Sequence, residues 1–170
     1  MRYVLPFRER RQLQDRAYHA QQRDQSEVCG ALLCMPSGIL RLRFLRNRSD
    51  RPGHFEIAAA ELSAMRRGPH RSQQSFVGTF HSHPLTQAVP GRGDVRHATV
   101  GHLMLVYDVC GREGRLWRIV QKNGHKTATE AMLLTTSRSG RLMPAPNKPL
   151  NPAALKIKQR GAKLPARAAG

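Results

Sequence analysis

The sequence predicts an α/β (α+β) domain in which a single mixed β-sheet is flanked by helices. Three observations lead there. Residues 28–34 and 102–109 are short, nearly continuous apolar runs bounded by turn residues, the pattern of strands buried on both faces. Residues 39–45 alternate, with Leu40, Leu42 and Phe44 on one parity and Ile39, Arg41 and Arg43 on the other, as in a strand with one face toward a core. Between the strand-like runs lie stretches with 3–4 spacing or high helix propensity, so the order reads β-α-β-β-α-β-α-β-β.

Taken in order, residues 2–5 form a short strand. Residues 7 to 23 form a helix whose weak apolar stripe is Phe7, Leu13, Ala17 and Ala20. Residues 28–34 and 39–45 make a hairpin around Pro36-Ser37-Gly38. A polar loop from Asn47 to Gly53 leads to a short strand at 54–57, and an alanine-rich helix follows over 58–67 until Gly68-Pro69 ends it. Residues 74–83 are a strand running into Phe80-His81-Ser82-His83-Pro84. After the Pro90–Gly93 turn, Asp94 caps a short helix through about Val100. Residues 102–109 and 115–121 are a second hairpin. The folded domain is thus expected over 1–124, an extension of strand or short helix over 125–136, and a tail over 137–170. That tail holds no Asp or Glu while lysine and arginine alternate with proline and alanine, the composition of a basic disordered segment.

Charge is the outlying property. The 170 residues carry 29 Lys+Arg against 11 Asp+Glu, a net charge of +18, which favours anionic partners. Scattered arginines on an ordinary enzyme surface explain the same number equally well. The tail has no aromatic residue to stack on bases, so only non-specific, salt-sensitive contact with nucleic acid is expected of it. The three cysteines, Cys29, Cys34 and Cys110, form neither a CxxC pair nor a disulfide framework. With no signal-peptide pattern and no apolar run of about 18–20 residues, a cytoplasmic protein without a membrane span is the expectation.

His81 and His83 sit two apart at the end of a strand, so both imidazoles point to one face and can share a metal ion. Asp94, separated from His83 by ten intervening residues and past a reversing turn, is a candidate third ligand, leaving a fourth position for water. Glu27 opens the first buried strand. It is either an exposed strand start or the general base that a hydrolytic zinc site requires. Other HxH arrangements fit less well: His83 is followed by Pro84-Leu85-Thr86 rather than by the rest of an HxHxDH pattern, and a (β/α)8 barrel needs about 250 residues.

Glu27-Val28-Cys29-Gly30-Ala31-Leu32-Leu33, then Asn47 with Pro52 and Phe55, then Gly78-Thr79-Phe80-His81-Ser82-His83-Pro84 and Asp94 together resemble the JAMM (MPN+/JAB) metalloprotease signature. That signature reads Glu, a long gap, His-Ser/Thr-His, seven residues, Ser, two residues, Asp. The resemblance covers about residues 1–122 and is nearest to the short bacterial single-domain members, which accompany ubiquitin-like conjugation or sulfur-carrier systems. It implies a JAB/MPN-like, cytidine-deaminase-like architecture. It also implies one Zn2+ held by His81, His83 and Asp94 with a water, and Glu27 as the acid/base. The expected substrate is a ubiquitin-like protein or its conjugates, with activating and conjugating enzymes as associates. One position departs: the family's oxyanion-stabilising serine is Gly91 here. The expected function is therefore a zinc isopeptidase or peptidase cutting after the C-terminal glycine of a ubiquitin-like protein. The alternatives are a weakly active or inactive binding module of the same fold that contacts nucleic acid, and a zinc peptidase acting on other peptides.

Overall fold

A computed structural model describes residues 2–68 and 73–145. Its elements are β1 (Tyr3–Leu5), α1 (Phe7–Asp24), β2 (Cys29–Cys34), β3 (Leu40–Leu45), α2 (Ala59–Arg67), β4 (Ser75–His83), α3 (Arg92–His97), β5 (Leu103–Asp108), β6 (Glu113–Lys122), β7 (His125–Ala131), β8 (Leu133–Thr136) and β9 (Leu142–Pro144). Six strands form one mixed sheet in the order β3-β2-β4-β5-β6-β7. Only β4 and β5 in it are parallel, and the crossover between them carries α3.

The expected mixed sheet flanked by helices is present, joined by a smaller one. In that second sheet β1 pairs parallel with β8, and β8 antiparallel with β9. The pairing of β1 with β8 joins chain segments far apart in sequence, so no local pattern announces it. Residues 125–136, expected as an undefined extension, are two strands. The expectation of a disordered tail from Ser137 is corrected as far as 145: Leu142–Pro144 is a strand, and Ala145 is buried against the core. The rest of that tail, 146–170, lies outside the described residues. His54–Ile57 is not a strand; it runs as a loop in which Arg48 N–H donates to the Glu56 carbonyl.

The two faces of the large sheet are covered differently. On one face Leu32, Cys34, Leu40, Leu42, Phe80, Leu103, Leu105 and Leu116 pack against Leu13 and Ala17 of α1 and against Tyr3, Leu5 and Leu133 of the small sheet. The helical stripe read from the sequence is the one that is buried, since Leu13, Ala17 and Ala20 are the buried residues of α1. On the other face a smaller cluster of Met104, Val106, Trp117 and Ile119 meets Ala88 from the loop after β4. The histidines belong to this second face.

A bulge in β4 decides which side chains share that face. Its register with β2 shifts between Leu32 and Leu33, which pair with Gly78 and Phe76. Gly78 has φ +152°, and a Cβ there would lie 1.8 Å from the Leu103 carbonyl oxygen. Only glycine fits, and the extra residue turns Phe76 to the same side as Thr79, His81 and His83.

Candidate metal centre and active-site cleft

Strand pairing on both sides places the two histidines. His81 is in register with Cys29 of β2 and Val106 of β5, and His83 with Asp108 at the end of β5. Both side chains are buried, at 0% and 3% exposure. The two Nε2 atoms lie 3.1 Å apart, so at least one carries no proton. His83 Nδ1 lies 2.7 Å from the Gln87 carbonyl. A carbonyl only accepts, so Nδ1 holds the hydrogen and Nε2 is turned toward the second histidine. The Phe55 ring stacks on His81 with centroids 4.5 Å apart and planes inclined by 21°, which restricts rotation of that imidazole.

Asp94 arrives from the crossover. It is not the cap of its helix, as the sequence suggested, but sits inside the first turn of α3, with Gly91 at the N-cap. Its Oδ2 accepts from Gly91 N–H at 2.5 Å and lies 3.4 Å from His81 Nε2 and 3.9 Å from His83 Nε2. Burial pushes the Asp94 carboxyl up, but the hydrogen bond and charge of His81, the Gly91 amide and the charge of His83 outweigh it. The group is held well below the usual carboxylate range.

The ligand atoms of His81, His83 and Asp94 all lie within 4.8 Å of one another. A tetrahedral zinc site with bonds of about 2.0–2.1 Å has ligand–ligand edges of about 3.3 Å. The observed 3.1, 3.4 and 3.9 Å separations match that edge to within about half an ångström. Two imidazoles and one carboxylate are a zinc-type donor set, so the residues fit the ion the sequence pattern implies.

Glu27 lines the same cleft, which has a volume of about 920 Å³ and is also bordered by His83, Gly91, Arg92 and Asp94. Only 6% of Glu27 is exposed. The segment that carries it into β2 is pinned to the histidine strand by Ser82, the residue between the ligands. Val28 N–H donates to Ser82 Oγ at 2.9 Å, while Ser82 N–H donates to the Val28 carbonyl. Ser82 thus points away from the metal ligands, as strand alternation requires, and fixes the carboxylate's segment beside them. Asn47 completes the support. Its Nδ2 donates to the Glu27 and His54 carbonyls at 2.9 and 3.0 Å, and its Oδ1 accepts from Ser49 and Glu56 N–H. One side chain ties the segment of Glu27 to the loop that carries Phe55.

Every sequence-predicted site residue borders the cleft or its metal-ligand cluster. Gly91 lies on the cleft wall, but its N–H is taken by Asp94. Several supports were missed. Trp117 Nε1 donates to the Ala88 carbonyl at 2.9 Å and holds the loop between the histidines and α3. Lys126 of β7 donates to the carbonyls of Arg96 and Ala98 at 2.9 and 2.8 Å, gripping the last turn of the helix that presents Asp94. No local sequence signal marks Lys126, whose partners lie about thirty residues away.

Cys29 is in register with His81. Burial, with the charges of Glu27 and Glu61, pushes the thiol's pKa up to about 12, so it stays protonated.

A family profile described as prokaryotic homologs of the JAB domain matches residues 9–120. A protein named desampylase from Pyrococcus furiosus is 33% identical over 99 residues, covering 57% of this chain and 69% of that protein. The solution structure of protein DSY2949 from Desulfitobacterium hafniense is similar in fold, with TM-score 0.56 at 22% identity over 81% of this chain and 96% of that one. The crystal structure of a JAB1/MPN domain protein from Archaeoglobus fulgidus matches at TM-score 0.42 and 14% identity, covering 74% of this chain and 94% of that one.

Proposed function

The chain belongs to the prokaryotic JAB family, and from that premise we propose that it is a zinc-dependent isopeptidase or peptidase. Its reaction is hydrolysis of the bond after the C-terminal glycine of a ubiquitin-like protein. The observation that carries the proposal is the convergence of His81, His83 and Asp94 at a cleft that His83, Asp94 and the buried Glu27 line. The desampylase relative supports ubiquitin-like conjugates as the substrate class.

His81, His83 and Asp94 would hold the zinc, which when bound would supply Lewis acidity and lower the pKa of a bound water. Glu27 takes the proton of the attacking water and delivers it to the leaving amine. Its burial beside the ligands suits this role, because a carboxylate shielded from bulk water keeps the proton it accepts for the next step. Asn47 and Ser82 hold its segment in place. A Gly-Gly tail passes such a cleft without side-chain clashes, so selection of the folded part of the substrate falls to surfaces away from the ligands.

Gly91 stands where the family's oxyanion serine is found, and its N–H is already committed to Asp94. Arg92 is the neighbouring cleft residue with side-chain donors, and it takes over stabilisation of the developing negative charge. Arg92→Ala should slow turnover by about 10²-fold without releasing zinc, as loss of one oxyanion donor does elsewhere. The three cysteines are free, which suits a reducing cytoplasm.

The test is a panel of ubiquitin-like proteins fused through a terminal Gly-Gly to a reporter. Cleavage after the second glycine, abolished by a chelator and restored by zinc, is the expected result. Fusions left intact by the zinc-loaded protein, with zinc bound stoichiometrically, would overturn the proposal.

A further inference from the structure

The cleft does not end at the metal ligands. It continues along the same face of the large sheet, over Thr79 and Gly78, to a far wall made by Arg66, Phe76 and His102. Phe76 reaches that wall only because the Gly78 bulge turns it to the histidine face. The Arg66 guanidinium carbon lies 5.5 Å from the Phe76 ring centroid, and the His102 ring meets Phe76 edge-on at 5.4 Å and 79°. Burial, then the charge of Arg66, lowers the pKa of His102, so at neutral pH the positive charge of this wall belongs to Arg66.

Arg66 has no carboxylate partner among the described residues. The segments 69–72 and 146–170 contain no Asp or Glu that might serve instead. An arginine oriented over an aromatic ring, facing a cleft and unmatched by any acid of its own chain, is organised in advance to receive an anion. Phe76 stands five positions before His81 on β4. At about 3.3 Å per residue, with one bulge, the wall lies about 15 Å from the metal ligands. An extended peptide covers that distance in about four to five residues.

We propose that Arg66, Phe76 and His102 form a subsite for a substrate carboxylate. Its occupant is an Asp or Glu side chain about four to five residues upstream of the scissile bond, in the extended tail of the ubiquitin-like protein. The proposal rests on the isopeptidase reading and narrows its substrate class. The tail side is chosen because it is the segment that runs extended in both linear fusions and branched conjugates. On the far side of an isopeptide bond the chain begins with a lysine side chain. Arg66 binds the carboxylate by charge and paired N–H groups, while Phe76 holds the guanidinium plane.

The test uses the full-length, zinc-loaded protein and one ubiquitin-like fusion whose tail carries Glu, Ala or Lys at the fourth and fifth positions before the scissile bond. The wild-type protein should cleave the Glu tail about tenfold faster in kcat/KM than the Ala tail, the worth of one charge-assisted contact. Arg66→Gln should cleave Glu and Ala tails equally, and Arg66→Glu should prefer Lys. An unchanged Glu preference in Arg66→Gln, or no preference in the wild type, would overturn the subsite. If no tail is cut, the isopeptidase reading fails, and the subsite is then judged by binding of amidated decapeptides of the same tails. Tighter binding of the Glu peptide to wild type but not to Arg66→Gln supports it; equal binding overturns it. Thermal unfolding of both variants checks that they are folded.

Discussion

His81 and His83 stand on a strand hydrogen-bonded to neighbours on both sides, whereas Asp94 stands on a six-residue helix inside a crossover. The first two ligands inherit their positions from the sheet: alternation aims them, the pairing of β4 with β2 and β5 fixes their spacing, and burial keeps water from the rings. The third has no such frame, because a helix of that length is not stable alone. It is held by Gly91 N–H at its start, by the Trp117 bond to the preceding loop, and by Lys126 on its last carbonyls. The comparison teaches that the sheet's β6–β7 hairpin, which offers no ligand, is part of the metal centre through its hold on α3.

Substitutions on the two sides should therefore fail in different ways. The largest effect belongs to the strand side. His83→Ala should weaken zinc binding by more than about 100-fold, read by competition with a chromogenic chelator. Gly78→Ala should instead cost about 2–4 kcal/mol of stability, because its Cβ has no space against Leu103 O, and chemical denaturation measures that directly. On the helix side, Lys126→Met should lower zinc affinity by about tenfold while the unfolding midpoint moves little. Lys122→Met, elsewhere on the same hairpin, should leave zinc affinity unchanged. Equal zinc affinity of Lys126→Met and wild type would remove β7 from the account.

The smallest effect concerns the floor beneath the histidines. With its pKa raised to about 12, Cys29 is almost wholly protonated at pH 8, and Cys34 is likewise shifted upward. Iodoacetamide should thus alkylate the exposed Cys110 alone in the native protein, and all three cysteines once it is unfolded. Mass spectrometry of the labelled peptides distinguishes these outcomes, and modification of native Cys29 would show that the strand side is less sealed than described.

The strand side was legible in the sequence and the helix side was not, for the same physical reason. Apolar continuity at 28–34 and 103–107 and the spacing of His81 and His83 are local patterns that the sheet merely aligns. Asp94 was found by its distance from His83, but its place inside α3 depends on Gly91 taking the N-cap, and the turn residues around it allow other starts. The clamps of Lys126 and Trp117, the pairing of β1 with β8 and the bulge that re-aims Phe76 are tertiary, and nothing within a few residues of them marks them. Asn47 is intermediate. Its polar loop position was visible, but its four hydrogen bonds to two separate backbone segments were not.

The account's central claim is that Glu27 does the proton transfer beside a metal held by other residues, and Glu27→Gln tests it most directly. Zinc content and cleavage of a Gly-Gly fusion should be measured on the same sample. The account predicts full zinc occupancy with turnover reduced by at least about 10²-fold, the usual worth of a positioned general base. Cleavage at the wild-type rate, or loss of zinc together with activity, would contradict it.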